Sequence, residues 1–190
     1  MSTAEDAKAA RLARLEAAKL VRLAELEKLA LIDAALHEVL GSGKLALFHV
    51  EREVKHPHFR FRKDVDGSTT PYWRRSKVVR DTIAVLINDD GTYTVGVSYQ
   101  SPEDNYNRKE GNRKAFQKAT GDYDTVEHPT WDGPVPAETV DELQDVVKAL
   151  LTGVYRSKTL AVQGVRGYSF EDTIDWIGKV VKGEHRKPKE

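Results

Sequence analysis

The sequence lacks cysteine entirely, and its 190 residues carry no net charge because 30 Lys and Arg residues are balanced by 30 Asp and Glu residues. Without cysteine the chain has no disulfides, thiolate zinc sites, iron–sulfur clusters or cysteine nucleophiles. We expect no targeting signal, and no apolar run approaches the ~20 residues that cross a bilayer. We expect a soluble, cytoplasmic protein with one domain and an appendage, which folds without a metal.

The neutral total conceals an uneven distribution of charge along the chain. Residues 41–120 carry 15 basic and 10 acidic side chains, whereas residues 121–190 carry 9 and 13. Such an asymmetry can direct a polyanion to one face of a protein. It is equally explained by internal complementarity, with acidic helices packed beside a basic sheet, and both explanations stay open.

Residues 1–40 contain neither proline nor glycine and consist mainly of strong helix formers, which predicts one long helix. Its leucines recur mostly at three- and four-residue steps, with Lys19, Arg22 and Asp33 interrupting the stripe. The pattern fits a helix laid on its own domain, or a contact arm for a partner or a second subunit. Gly41-Ser42-Gly43 should end the helix. We find no internal repeat.

Residues 44–182 predict an α+β domain. Apolar and polar residues alternate over 45–50 and again over 58–63, as in half-buried strands. The strongest signal is a hairpin over 78–99, because its central Asp-Gly pair supplies the positive φ that a tight turn requires. Residues 64–72, between the two strand pairs, should form a polar loop.

Three helices should follow the hairpin. Ser101-Pro102-Glu103-Asp104 offers a capping hydroxyl, a proline for the first turn and two carboxylates. Ser169 should cap the last helix. The predicted helices lie near 102–120, 137–153 and 170–182. We expect them to cover one face of an antiparallel sheet of three or four strands, with residues 183–190 as a flexible tail.

Cations interleaved with aromatic residues make the middle of the chain the best functional candidate. Phe59 and Phe61 alternate with basic residues, which places cations on one face of a strand. Cations bind phosphates, and an exposed Tyr72 or Trp73 can stack on bases. The expected nucleic-acid or partner-binding residues are Lys55, His58, Arg60, Arg62, Lys63, Tyr72, Trp73, Arg74, Arg75, Lys77, Arg80, Arg108, Lys109 and Arg113. The alternative is that the aromatic residues are core and the cations are only the solvated face of a sheet.

Two fragments permit metal chemistry, and neither is specific. His56 and His58 can share a strand face, but Pro57 lies between them and no third ligand is near. Glu53-Val54-Lys55 matches the E-x-K fragment of metal-dependent nucleases, in which a carboxylate holds Mg²⁺. The further acidic residue that such a site requires would be Asp64, Asp66 or Asp81. The common nucleotide-binding and nucleophile signatures are absent, so we predict no cofactor, no metal and no catalytic residue.

Residues 93–115 contain a strand that runs into the motif S-P-x-D-x-Y-x-R-K-x-G and a basic helix. The matching residues are Ser101, Pro102, Asp104, Tyr106, Arg108, Lys109, Gly111 and Ala115. This element resembles one in small, uncharacterised proteins encoded by bacteriophages, and the match covers about an eighth of the chain. The resemblance implies a phage source and the host-cell cytoplasm, and it implies no activity. Asn112 stands where such proteins often have arginine. In physical terms the element is a strand that leads into a capped helix, with Tyr106 available to anchor that helix on the sheet.

Our leading hypothesis is a non-enzymatic, phage-type accessory protein. It would bind a macromolecular partner, either a host protein complex or nucleic acid, through the basic sheet and loop face and the N-terminal helix. A first alternative is a virion or assembly component that forms homo-oligomers through residues 4–40. A second is a small metal-dependent nuclease with a composite site.

Overall fold

The computed structural model describes residues 3–54, 59–73, 77–122, 133–153, 159–164 and 169–184. The chain divides into two compact units, Met1–Val39 and Leu40–Glu190. The helices are α1 (Thr3–Gly41), α2 (Arg108–Thr120), α3 (Val140–Gly153) and α4 (Phe170–Val181). The strands are β1 (Leu45–Val54), β2 (Phe59–Lys63), β3 (Thr69–Trp73), β4 (Lys77–Ile87), β5 (Tyr93–Ser98), β6 (Val135–Ala137) and β7 (Thr159–Gly164). Within these ranges no helix combines the length and the apolar character that a membrane span needs.

The long N-terminal helix is confirmed as α1. It ends where predicted, because Gly43 takes a positive φ of 78° and its amide donates a hydrogen bond to the Leu40 carbonyl. Glycine adopts this left-handed conformation without the penalty that a Cβ would add. Most of the large apolar side chains of α1 between residues 12 and 31 are exposed.

The second unit is built on an antiparallel sheet with the strand order β6-β5-β4-β1-β7. The α+β class is confirmed, and the three central strands are the strand predicted from the alternation at 45–50 and the two strands of the predicted 78–99 hairpin. Two short edge strands bring the sheet to five strands, beyond the three or four expected. β6 has only three residues and includes a proline, which is tolerated at a sheet edge because no further strand needs its missing N–H.

One face of the sheet carries the hydrophobic core, and α3 and α4 cover it. Phe48 and Val50 of β1 lie beside Ile83 of β4, which lies opposite Val97 of β5. The buried helix residues packed against these strands are Leu143, Val147, Leu150, Leu151, Ile174, Ile177 and Val181. Val95 and Val97, alternate residues of β5, are fully buried in this core.

The opposite face of the sheet is covered by α2, so the prediction that all three helices share one face is wrong. Gly96 faces this side, and a Cβ added to it would lie 2.4 Å from the carbonyl oxygen of Ala115 in α2. The helix backbone can approach so closely only because position 96 has no side chain. The sheet therefore lies between two helical layers, and alternate residues of β4 and β5 face different helices.

β2 and β3 form a separate two-stranded hairpin. The prediction of a loop over 64–72 is therefore wrong in its second half, because Thr69–Trp73 pairs with Phe59–Lys63. Only residues 64–68 form the turn, closed by a hydrogen bond from the Asp64 amide to the Ser68 carbonyl. The sequence signal was misleading because Thr and Ser at these positions are typical of both turns and edge strands.

Candidate nucleic-acid interface

A polar cleft of about 710 Å³ lies where the β4–β5 sheet meets the N-terminal end of α2. The residues that line it are Arg80, Thr82, Ser98, Tyr99, Gln100, Asp104, Asn105, Tyr106, Asn107, Arg108, Lys109, Glu110, Gly111 and Lys114. Four of these side chains are cationic and two are acidic, so the lining has a net positive charge.

Residues 101–106 form the rim of this cleft rather than the first turn of a helix. Lys77 donates from its Nζ to the carbonyl oxygens of Pro102 and Asp104, at 2.7 and 3.0 Å. Gln100 also donates to the Asp104 carbonyl, at 3.0 Å. These side chains hold residues 101–106 in a non-helical course, and α2 begins only at Arg108, so the predicted helix start at residue 102 is wrong.

The helix begins five residues later, at the cap that Asn107 provides. Its side-chain oxygen accepts a hydrogen bond from the Glu110 amide at 3.2 Å, which satisfies a donor that the first helical turn leaves unpaired. Gly111 then permits the helix to lie against β4, because a Cβ there would be 2.7 Å from the hydroxyl oxygen of Thr82. A residue without a side chain at position 111 is thus a packing requirement.

His49 of β1 is the centre of the side-chain network beside the cleft. Arg108 donates from Nε to the Nε2 atom of His49 at 3.1 Å. The hydroxyl of Tyr106 lies 3.0 Å from the Nδ1 atom of His49, and that of Thr82 lies 3.2 Å from the same atom. The expectation that Tyr106 anchors the segment on the sheet is confirmed by this contact with β1.

The chemistry of this network makes His49 a neutral hydrogen-bond acceptor. Burial, and then the nearby charges of Arg108 and Arg80, lower the pKa of His49 from 6.5 to about 4. The ring is therefore uncharged at neutral pH. Because Arg108 can only donate, Nε2 must accept, and the single ring proton of the neutral histidine lies on Nδ1, facing the two hydroxyl groups.

Two other cations of the cleft, Arg80 and Lys114, have acidic or aromatic partners. Arg80 forms an ion pair with Glu51 at 2.8 Å, and its guanidinium lies 5.5 Å from the centre of the Tyr106 ring. Lys114 pairs with Glu110 one helical turn away, at 2.7 Å. Arg108 differs from both, since its described partner is the uncharged ring of His49.

The predicted binding residues are only partly brought together. Lys77, Arg80, Arg108 and Lys109 line or support the cleft. Arg62 and Lys63 are exposed at the end of β2, where Arg62 lies 3.6 Å from Asp64. Arg113 is on α2 but does not line the cleft. Arg60, Tyr72 and Trp73 belong to the β2–β3 hairpin, and their side chains are outside the described part of the chain, as are Phe59 and Phe61. Lys55, His58, Arg74 and Arg75 lie wholly outside the described residues.

Sequence reasoning missed His49, Thr82 and Gln100 as site residues. His49 was assigned only to the alternation of β1, and its partners come from sequence positions 33 to 59 residues away. One local signal was available. His49 and Thr82 are polar residues next to apolar ones in their strands, which indicates a sheet face that is not fully occupied by the hydrophobic core.

Two of the residues proposed for a composite nuclease, Glu53 and Asp81, do not converge, and Lys55 lies outside the described residues. Glu53 and Asp81 belong to neighbouring strands, but their register places them on opposite faces of the sheet. Asp81 is buried and is bound through both carboxylate oxygens by Arg52, at 2.7 and 3.1 Å. Burial raises the pKa of Asp81, while Arg52 and the Gln100 amide oppose that change. Among the described residues no group of three His, Asp or Glu side chains is placed to hold a metal ion.

Comparison of this chain with protein-family models, with curated protein sequences and with solved structures finds no match. The function is therefore inferred from the side chains of this chain alone.

Proposed function

We propose that this protein is a non-enzymatic accessory protein of the bacteriophage type that binds nucleic acid through the polar cleft between β4 and α2. One observation carries the proposal: the guanidinium of Arg108 is held by the neutral ring of His49 and not by a carboxylate. A neutral acceptor orients the arginine and leaves its positive charge uncompensated.

The remaining donors of Arg108 suit a phosphate group. An arginine has five N–H donors, and the bond to His49 uses only the one on Nε. The terminal nitrogens have no ion-pair partner among the residues that the structure describes. A guanidinium presents such donors as a planar fork that matches two oxygens of a phosphate, which makes arginine the preferred side chain for this contact.

The composition of the cleft favours nucleic acid over a protein complex as the partner. The centre of a protein interface is usually depleted in charged residues and enriched in apolar ones. This lining instead combines four cations with hydroxyl and amide groups. Tyr106 adds an aromatic ring at the same place, and such rings stack on bases without sequence preference.

The proposal is tested by fluorescence anisotropy with labelled single-stranded and duplex oligonucleotides at low salt. We expect the wild type to bind and Arg108→Gln to bind about tenfold more weakly, equivalent to the loss of one charge-assisted hydrogen bond of about 1.5 kcal/mol. Lys179→Gln is the matched control, because Lys179 is an exposed cation on α4, across the sheet from the cleft.

Two results would contradict the proposal. The first is a wild-type protein that binds neither kind of oligonucleotide, which would leave a host protein complex as the partner to be sought. The second is an equal loss of affinity in Arg108→Gln and Lys179→Gln, because that would indicate a diffuse charge effect and not a site.

A further inference from the structure

Helix α1 contains an 11-residue repeat, so the prediction of no internal repeat is wrong. Residues 11–21 read RLARLEAAKLV and residues 22–32 read RLAELEKLALI, with six of eleven positions identical. Eleven residues make three helical turns at about 3.67 residues per turn. Equivalent positions of the two copies therefore lie almost directly above one another along the helix.

The repeat produces an exposed apolar stripe. Leu12 and Leu15 of the first copy recur as Leu23 and Leu26 of the second, and these four side chains are 54, 59, 46 and 54% exposed. Lys19 lies between the two pairs on the same stripe. Four large leucines on one line of a single helix are costly to leave in water, since burying the exposed half of each contributes roughly half of the 1.5–3 kcal/mol of a whole side chain.

Opposite charges flank this stripe on its two sides. With 100° per residue, Arg11 and Arg22 lie roughly 60–80° to one side of the leucines, and Glu16 and Glu27 lie roughly 60–80° to the other. All four side chains are exposed. Within the described part of the chain none of them takes part in an ion pair.

The arrangement of these charges selects both the partner and its direction. In a parallel pair of identical helices the arginine flank of one meets the glutamate flank of the other, whereas in an antiparallel pair each flank meets its own kind. Two parallel copies place Arg11 beside Glu16 of the partner subunit and Arg22 beside Glu27 of the partner subunit, in the five-residue offset that such pairs use.

We propose that α1 is a self-association helix that pairs in parallel with α1 of a second copy of this chain, through Leu12, Leu15, Leu23 and Leu26. The ion pairs between Arg11 or Arg22 and the partner's glutamates fix the orientation. The 11-residue period gives the pair a right-handed or nearly straight course. None of these residues lies in the cleft, so the dimer does not depend on nucleic-acid binding.

Sedimentation of the full-length protein over a range of concentrations tests the dimer. The wild type should approach twice the 21.3 kDa mass of one chain. Arg11→Glu with Arg22→Glu turns four attractive contacts of the dimer into repulsive ones and should weaken it about tenfold or more. The matched control, Arg14→Glu with Lys28→Glu, makes the same charge change on the opposite side of the helix and should leave the dimer unaffected.

Mixing provides the reciprocal test. Glu16→Arg with Glu27→Arg should also dimerise more weakly alone, and an equal mixture with the Arg11→Glu, Arg22→Glu protein should restore strong dimerisation. A wild type that stays monomeric at every concentration would overturn the proposal. So would an arginine-flank variant that dimerises as well as its control.

The direction of the helices is tested by a single introduced thiol, because the chain has no cysteine. Ala30 lies on the stripe near one end, and in a parallel pair it faces its own counterpart. Ala30→Cys should therefore form a disulfide-linked dimer on mild oxidation, whereas Ala17→Cys, on the far side of the helix, should not. Equal crosslinking of the two variants, or none with Ala30→Cys, would contradict the parallel arrangement.

Discussion

Acidification should destabilise the protein through His49, which is the most specific consequence of the network beside the cleft. The folded state holds the pKa of His49 at about 4, against 6.5 for an exposed histidine. Between these two values the unfolded chain binds a proton at His49 and the folded chain does not. The stability that His49 contributes must therefore fall as the pH drops from 6.5 to 4 and rise with pH over the same window.

The size of the effect follows from the pKa difference and the position of the ring. A shift from 6.5 to about 4 corresponds to about 3.4 kcal/mol at full strength. His49 is only half-buried, so solvent screening reduces the expected contribution to about 1–2 kcal/mol. Most of this loss should be complete near pH 4, where the folded state also begins to bind the proton.

Urea unfolding from pH 4 to pH 8 measures this contribution when the wild type is compared with His49→Gln. Glutamine keeps an oxygen that can accept from Arg108 but does not titrate, and the other ionisable groups cancel in the difference. The free energy of unfolding of the wild type should fall relative to the variant as the pH decreases below 6.5. Parallel curves for the two proteins, or an NMR titration of folded His49 near pH 6.5, would refute the reasoning.

Two further predictions concern the interior of the sheet. Arg52→Leu leaves the buried carboxylate of Asp81 without its cation and should lower the free energy of unfolding by about 3–5 kcal/mol. Adding Asp81→Leu should recover part of this loss. No recovery in the double variant would argue against a coupled pair. Gly96→Ala forces a Cβ into the backbone of α2 and should lower the free energy of unfolding, measured by heat or urea, by roughly 3 kcal/mol. Gly153→Ala, where the added Cβ has no atom within 4 Å, should be close to neutral. Similar values for the two variants would disprove the close approach of α2 to Gly96.

The parts of the fold that could be predicted are those whose signals lie within a few residues. The β4–β5 hairpin follows from the Asp-Gly pair before Thr92, and Gly91 has the expected positive φ of 83°. Ser169 caps α4 as its sequence context indicates, accepting from the Asp172 amide at 3.1 Å. In both cases turn or cap chemistry is decided locally, before any tertiary contact forms.

The face occupied by α2 and the true start of that helix depend on contacts between distant residues. Ser101-Pro102 has the composition of a helix start, but Lys77, 25 residues earlier, binds the Pro102 carbonyl and holds the segment as a loop. Gly96 in the middle of a strand was the one local indication that another backbone approaches there. The pattern of apolar residues alone could not show which face of the sheet α2 covers.

The sequence predicted cationic residues of the candidate site, but it did not predict the contacts that these residues make. Arg80 and Arg108 were singled out for their charge, yet the property that distinguishes Arg108 is its neutral partner, which comes from a strand 59 residues away. A charge count treats all arginines as equal. The folded structure distinguishes two kinds of arginine. Arg108 is bound by His49, whose lowered pKa keeps the ring neutral, so the charge of Arg108 is available to a phosphate. Arg80 is already paired with the carboxylate of Glu51.

The salt dependence of oligonucleotide binding, measured for the wild type and Arg108→Gln, tests the central claim most directly. If Arg108 contacts a phosphate, the slope of log binding constant against log salt concentration should become shallower by about one in the variant, because one fewer counterion is released. Identical slopes for the two proteins would contradict the claim that Arg108 presents its charge to nucleic acid.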